Sequence, residues 1–191
     1  HILLTHMHFD HIQGLGFFTP FFNPKNKINI YGPASNSDEL IMTLTKYLSP
    51  PLFPVRIRDF KAELQFFAMP RRSLKIGHLE IESAFVCHPG PTLGYRINDE
   101  KHTVTYIPDH EVSLGTGDTP KTHDWTSGFD LAHQADVLIH DAQYDHNQYL
   151  EKVGWGHSSF PQTIQFAREA KVKKLYFFHH DPMHSDQRLQ E

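Results

Sequence analysis

Apolar positions along the chain follow two periods, and the switches between them mark the predicted elements. Ile2-Leu3-Leu4 opens with a short apolar run, and residues 2–5 are a predicted buried strand. Lys27–Tyr31 alternates polar and apolar residues like a second strand. Asp38 and Glu39 then introduce Leu40, Ile41, Leu44, Tyr47 and Leu48, the spacing of one helical face, which Pro50, Pro51 and Pro54 bring to an end. Leu79–Cys87 returns to strand alternation through Leu79, Ile81 and Phe85. Leu93–Ile97 and Thr103–Ile107 read as a hairpin about Asn98–Lys101, and Val137–His140 and Leu175–Phe178 as buried strands. Ser158 and Ser159 stand where a helix cap belongs, with Pro161 in the first turn and Ile164, Phe166, Ala167 and Ala170 on the apolar side. Phe17, Phe18, Phe21 and Phe22 form an aromatic stripe that either packs as core or lid, or walls a site on which substrate stacks. Residues 110–134, which include Trp125, show little periodicity and read as an excursion near the site. No repeat or linker interrupts the pattern, so residues 1–191 are expected to form a single domain.

The polar residues that follow these strands carry the chemistry. Thr5-His6-Met7-His8-Phe9-Asp10-His11 places His6, His8, Asp10 and His11 within six positions. Alternation along an incoming strand would project His6 and His8 to one side, and a turn would bring Asp10 and His11 to a second centre. Three imidazoles and a carboxylate suit zinc or another borderline first-row metal, a sharper reading of this spacing than a solvated His-rich loop. His88, Asp109, Asp141 and His179 each stand at a predicted strand end, where catalytic groups are commonly collected on a rigid scaffold. His179 and His180 are adjacent, and either is placed to be the last of the set.

Composition narrows the function classes. The 191 residues suffice for one buried core, and the net charge of −4 provides no global field for nucleic acid, which would have to be recognised locally. Sixteen histidines fall in clusters. Cys87 is the only cysteine, so an intrachain disulfide framework is excluded and a reduced, cytoplasmic setting fits. No apolar stretch is long enough for a membrane span, so no membrane partner is expected. The sequence opens on His1 and a strand, which suggests that it begins inside a longer polypeptide.

With these motifs assembled, the chain resembles the metallo-β-lactamase-fold hydrolases. The match covers residues 5–11 and continues with His88 in Cys-His-Pro-Gly, Asp109 in Ile-Pro-Asp-His and His179 in Phe-Phe-His-His-Asp-Pro. The resemblance implies an α/β fold, a four-layer αββα sandwich with a dinuclear site at one edge of two sheets. It implies two divalent metal ions, zinc first and manganese or iron as alternatives. His6, His8 and His88 would bind one, Asp10, His11 and His179 the other, and Asp109 would bridge them. This alignment also selects His179 over His180. Tens of residues normally precede the first motif in that superfamily, so its N-terminal strands are expected to be missing here. The sheet edge left open would offer a second copy, as in a homodimer, a surface to pair with.

Gly154-Trp155-Gly156-His157-Ser158-Ser159 resembles the histidine motif of the superfamily's phosphodiesterase branch, which includes transfer-RNA 3′-end processing enzymes and small cyclic phosphodiesterases. There the histidine assists the leaving group, and Asp141 matches the acid that orients it; the bland alternative is a helix-capping turn. His88 and Asp109 are only 21 positions apart, an interval nearly filled by the predicted hairpin, where the transfer-RNA enzymes insert a long RNA-gripping arm. The expected activity is therefore hydrolysis of small or cyclic phosphodiesters by a hydroxide held between two metals, with Asp10, His157 and Asp141 as catalytic residues and nucleic acid less favoured. A thioester or lactone hydrolase, or a metal-stabilised sensing module without turnover, are the rival readings.

Overall fold

The protein is represented by a computed structural model in which residues 1–69, 73–112 and 125–190 are described. The chain divides into two units, His1–Pro70 and Arg71–Glu191.

In the first unit, β1 (Ile2–Leu3), β2 (Lys27–Gly32) and β3 (Glu63–Ala68) form a parallel three-stranded sheet in that order. A short helix α1 (Phe9–Ile12) follows β1, and α2 (Ser37–Tyr47) makes the crossover from β2 to β3. Asn36 caps α2, its side-chain oxygen accepting from the Glu39 amide at 2.9 Å. Leu40, Leu44, Tyr47 and Leu48 are buried as the helical spacing requires, in one cluster with Leu4, Ile12, Phe21, Ile28 and Ile30. Ile41 lies at the margin and is only partly covered. The aromatic stripe divides by position: Phe21 is 1% exposed and belongs to the core, whereas Phe17 is 75% exposed.

The second unit carries a six-stranded sheet in sequence order: β4 (Ser73–Ile76), β5 (Leu79–Phe85), β6 (Leu93–Asn98), β7 (Thr103–Ile107), β8 (Val137–Asp141) and β9 (Lys174–Phe178). Pairing is antiparallel from β4 to β7 and parallel from β7 to β9. The predicted hairpin is β6–β7, with Asn98 opposite Thr103. Strand direction has a direct consequence for the site. β5, β7, β8 and β9 all run the same way, so their C-terminal ends leave the sheet at one edge. The register aligns Ile107 with His140 and His140 with Phe177, which brings the residues that follow β7, β8 and β9 out level with one another.

Among the described residues of this unit, α3 (Phe129–Ala132), α4 (His146–Glu151) and α5 (Phe160–Glu169) precede the C-terminal α6 (Asp186–Gln190). Ser159 caps α5 with Pro161 in its first turn, as the sequence predicts, and Gln162 completes a capping box. Phe166, Ala167 and Ala170 bury against Val86, Ile107, Val112 and Leu138. Ile164 is only partly covered, and the polar Gln162 and Thr163 are buried on this helix instead.

Two expectations are corrected here. The first strand ends at Leu3, so strand alternation does not place His6 and His8; both lie in the loop that leads into α1. Leu175–Phe178 is not a buried strand. β9 is the sheet's edge, and Tyr176, Phe177 and Phe178 are 46%, 39% and 40% exposed. Within the expected excursion at 110–134, residues 113–124 lie outside the described residues, and α3 occupies 129–132. Among the described residues no helix is long and apolar enough to cross a membrane.

Candidate metal centre

In the first unit the loop from β1 to α1 gathers three imidazoles. His6 is buried, with Nδ1 3.1 Å from the Thr5 hydroxyl. Its ring centroid lies 4.6 Å from that of His8 and 4.2 Å from that of His11. His8 stands at the N-cap just before α1, and Asp10 and His11 sit in its single turn, with Asp10 Oδ2 3.3 Å from His11 Nε2. The local helix, rather than a strand, brings His11 back beside His6. Asp10 is exposed and His11 half-buried.

In the second unit, the common edge of β5, β7, β8 and β9 delivers His88, Asp109, Asp141 and His179. Asp109 is buried, and its Oδ2 lies 3.7 Å from His88 Nε2 and 3.4 Å from His179 Nε2. His88 Nδ1–H donates to the Gly156 carbonyl at 2.8 Å, which fixes the tautomer and puts the ring's lone pair on Nε2, facing Asp109. His88 Nε2 and Asp109 Oδ2 lie 3.7 Å apart, beyond hydrogen-bond distance and at the spacing of two donors to one shared cation. The donor set of the second unit therefore fits a divalent metal ion. His179 stands at φ 57°, a left-handed conformation uncommon outside glycine, and this turn at the end of β9 carries its ring to Asp109. His180 is exposed and lies over the Phe160 ring instead.

His157 joins this group from the loop before α5. Its Nδ1 is 2.7 Å from Asp141 Oδ2, and its ring stacks on His179 with centroids 4.8 Å apart. His88, Asp109 and His157 present nitrogen and oxygen atoms all within 4.8 Å of one another, as do Asp141, His157 and His179. Asp141 is fully buried. Burial pushes its carboxyl well above the usual carboxylate range, while the amides of His110 and Ser158 and the His179 ring pull it back down.

Sequence reasoning passed over two sets of residues behind this edge. The first is a chain from two buried histidines to the half-buried Ser127, whose polarity is set at one end by a carbonyl, which can only accept. His140 Nδ1–H donates to the Asp141 carbonyl, His110 Nδ1–H to His140 Nε2 at 2.9 Å, and the Ser127 hydroxyl to His110 Nε2 at 2.8 Å. Burial pushes His140 down to about 4 and His110 well below its ordinary value, so both rings are neutral. The second is Glu111, buried beneath the 154–157 loop. Its carboxylate accepts from the amides of Gly154 and Gly156 and from the Tyr149 hydroxyl, each at 2.9 Å. An acid two residues beyond Asp109 was visible in the sequence, but its partners stand 38 to 45 positions away.

A fold and site of this kind define a metal-dependent hydrolase. The Beta-lactamase superfamily domain matches residues 1–180, and the chain belongs to that superfamily, whose fold implies divalent metal ions. Over 223 aligned positions it is 27% identical to ribonuclease Z of Thermoplasma acidophilum, an alignment covering 97% of this chain and 70% of that protein. Among solved structures, it is similar to the metallo-β-lactamase fold protein YhfI of Bacillus subtilis, with a TM-score of 0.71 and 22% identity over 98% of this chain and 68% of that one. Human tRNase Z, short form, gives a TM-score of 0.69 and 21% identity over 100% of this chain and 73% of its own. At these identities the two structures establish a shared fold.

Proposed function

We propose that this chain hydrolyses phosphodiester bonds with two divalent metal ions. The observation that carries the reading is His157, held through Nδ1 by the buried Asp141 at 2.7 Å and stacked against His179 in the same cluster as Asp109. In the proposed assignment His6, His8 and His88 would hold one ion, Asp10, His11 and His179 the other, and Asp109 would contribute to both. Two such ions, zinc by preference, supply Lewis acidity at phosphorus and a water of lowered pKa. The chain's own residues do the rest. Asp10 accepts a proton from the attacking water. His157 gives a proton to the leaving oxygen, and Asp141 fixes its tautomer and supports its charged form. The family match runs through both units without interruption, which supports reading residues 1–191 as a single domain. A single free cysteine, Cys87, suits a reducing compartment such as the cytoplasm.

Small or cyclic phosphodiesters are the preferred substrates in this reading. The β6–β7 hairpin takes up most of the interval between His88 and Asp109 and turns directly from Asn98 to Thr103. The alignment with ribonuclease Z has 223 positions, more than the 191 residues of this chain, so that relative carries segments with no counterpart here. The second reading, cleavage at the 3′ side of an RNA, is favoured by the 27% identity to that same relative. One panel tests both: chromogenic diesters, cyclic nucleotides and a 3′-extended RNA, assayed with zinc or manganese beside a thioester and a lactone. Turnover of the small diesters above the RNA is the expected result. RNA cleavage alone would replace the substrate assignment, and turnover of the thioester or lactone alone would overturn the phosphodiester reading.

A further inference from the structure

One loop supports two residues of the proposed reaction. Residues 154–157 present His157 at their end, and the Gly156 carbonyl takes the Nδ1 proton of His88. Trp155 N–H closes the loop locally on the Lys152 carbonyl at 3.0 Å, and the two glycine amides on either side of it turn elsewhere. Gly154 and Gly156 stand at φ 87° and 89°, and their amides point inward together, forming a small concavity that attracts an anion. The occupant is Glu111. Its Oε1 accepts from Gly154 N–H and Tyr149 O–H, and its Oε2 from Gly156 N–H. Glu111 is itself tied to the strand edge, because its amide donates to the Cys87 carbonyl at 2.8 Å, next to His88.

We propose that Glu111 is a positioning residue that sets His88 and His157 together through the 154–157 loop. It reaches His88 through the two faces of one residue: Gly156 gives its N–H to Glu111 and its C=O to His88. It reaches His157 as the next residue along. An ionised carboxylate is the only common side chain that accepts three hydrogen bonds on two oxygens in so small a space. Glutamine in its place satisfies one glycine amide and turns an NH2 group against the other. The loop then shifts, the His88 Nδ1–H loses its acceptor, and the ring is no longer fixed with Nε2 toward Asp109. Groups that orient a metal-binding histidine in this way change metal affinity or activity by about 10-fold to 100-fold when removed.

This inference rests on the proposed roles of His88 and His157, and the test separates it from them. The full chain is compared with Glu111→Gln and Glu111→Asp by three measurements: the imidazole Nδ1–H resonance of His88 in metal-free protein, zinc titration, and kcat and KM for a chromogenic diester. Thermal unfolding is recorded for each variant. Glu111→Gln is expected to unfold cooperatively, lose the His88 resonance and bind zinc about 10-fold more weakly, with kcat falling similarly and KM little changed. Glu111→Asp, which keeps the carboxylate, should recover part of both the resonance and kcat. A folded Glu111→Gln that retains the resonance and zinc affinity overturns the proposal, as does a kcat that falls only with the folded fraction. If even the unaltered chain turns over no phosphodiester, the functional reading fails, and the resonance and zinc titration still decide the role of Glu111.

Discussion

His88 and Gly156 are joined twice. The imidazole Nδ1–H donates to the Gly156 carbonyl at 2.8 Å, and the Gly156 Cα lies so close beneath the ring that an added Cβ would overlap both His88 Nδ1 and Pro89 Cδ. Position 156 is therefore glycine for two reasons, its φ of 89° and the space taken by the ring it supports. Position 154 shares only the first, since a Cβ there would meet nothing within 4 Å.

The pair gives a graded prediction. Gly154→Ala should cost about 1 kcal/mol, the price of a left-handed backbone alone. Gly156→Ala adds the overlap and should cost at least about 2 kcal/mol more, the range of overpacking in a close-packed site. Denaturant unfolding of both variants measures the difference. Equal losses would mean that the ring does not rest on Gly156.

Asp141→Asn should leave metal stoichiometry intact and lower kcat by about 100-fold with little change in KM, the usual scale of general acid catalysis. Steady-state kinetics with elemental analysis checks it. Metal loss in this variant would move the Asp141–His157 pair from proton transfer to metal support.

Dialysis against a chelator should abolish turnover, and added zinc or manganese should restore it. Asp109→Ala should stay inactive after the same treatment and bind less than the full complement of metal. Its buried carboxylate stands between two ring nitrogens, at 3.7 and 3.4 Å. Full activity with full metal content in Asp109→Ala would remove it from the centre.

His140 gives a pH dependence of stability. Its folded value is lowered by burial from 6.5 to about 4, so the unfolded chain takes up the proton first as pH falls. The stabilisation from the neutral ring is complete above the unfolded value near 6.5 and is lost progressively down to about 4, up to roughly 3 kcal/mol in all. His110, shifted the same way, steepens the loss. In metal-free protein the His140 contribution lowers the unfolding free energy between pH 7 and 4, against the opposite contribution of Asp141, whose raised carboxyl adds stability as pH falls, so it is read as the difference between the unaltered chain and the variant. His140→Gln should lack that contribution, and an unchanged slope would show that the ring makes none.

Much of this was legible in the sequence because the informative residues are local. His6, His8, Asp10 and His11 lie within one turn of chain, and the strands before Asp109, Asp141 and His179 announce themselves by period. What escaped depended on distance or on place in the sheet. Glu111 reads as an ordinary surface acid until Gly154 and Gly156 arrive from more than forty positions away. The aromatic run Tyr176-Phe177-Phe178 predicts burial, yet β9 lies at the sheet's edge, a fact that no local pattern contains. The strand Glu63–Ala68 was missed because Phe66, Phe67 and Ala68 break the polar–apolar alternation, although each second residue is partly covered. The route expected for His6 and His8 is corrected: the strand stops at Leu3, both histidines lie in the loop after it, and the helical turn that follows brings His11 beside His6.

The one-way direction of β5, β7, β8 and β9 also tells an engineer where to work. Everything reactive in the second unit leaves one edge of the sheet, so the turns at Gly77–His78 and at Asp99–His102 fall at the other. The tip at 99–102 is exposed or half-covered and closed by Asp99, whose carboxylate accepts from the amides of Lys101 and His102. A fluorophore, an affinity peptide or a surface-coupling handle inserted there would sit a full strand length, roughly 15–20 Å, from the histidines. The sheet of the second unit has a working end and a handle end.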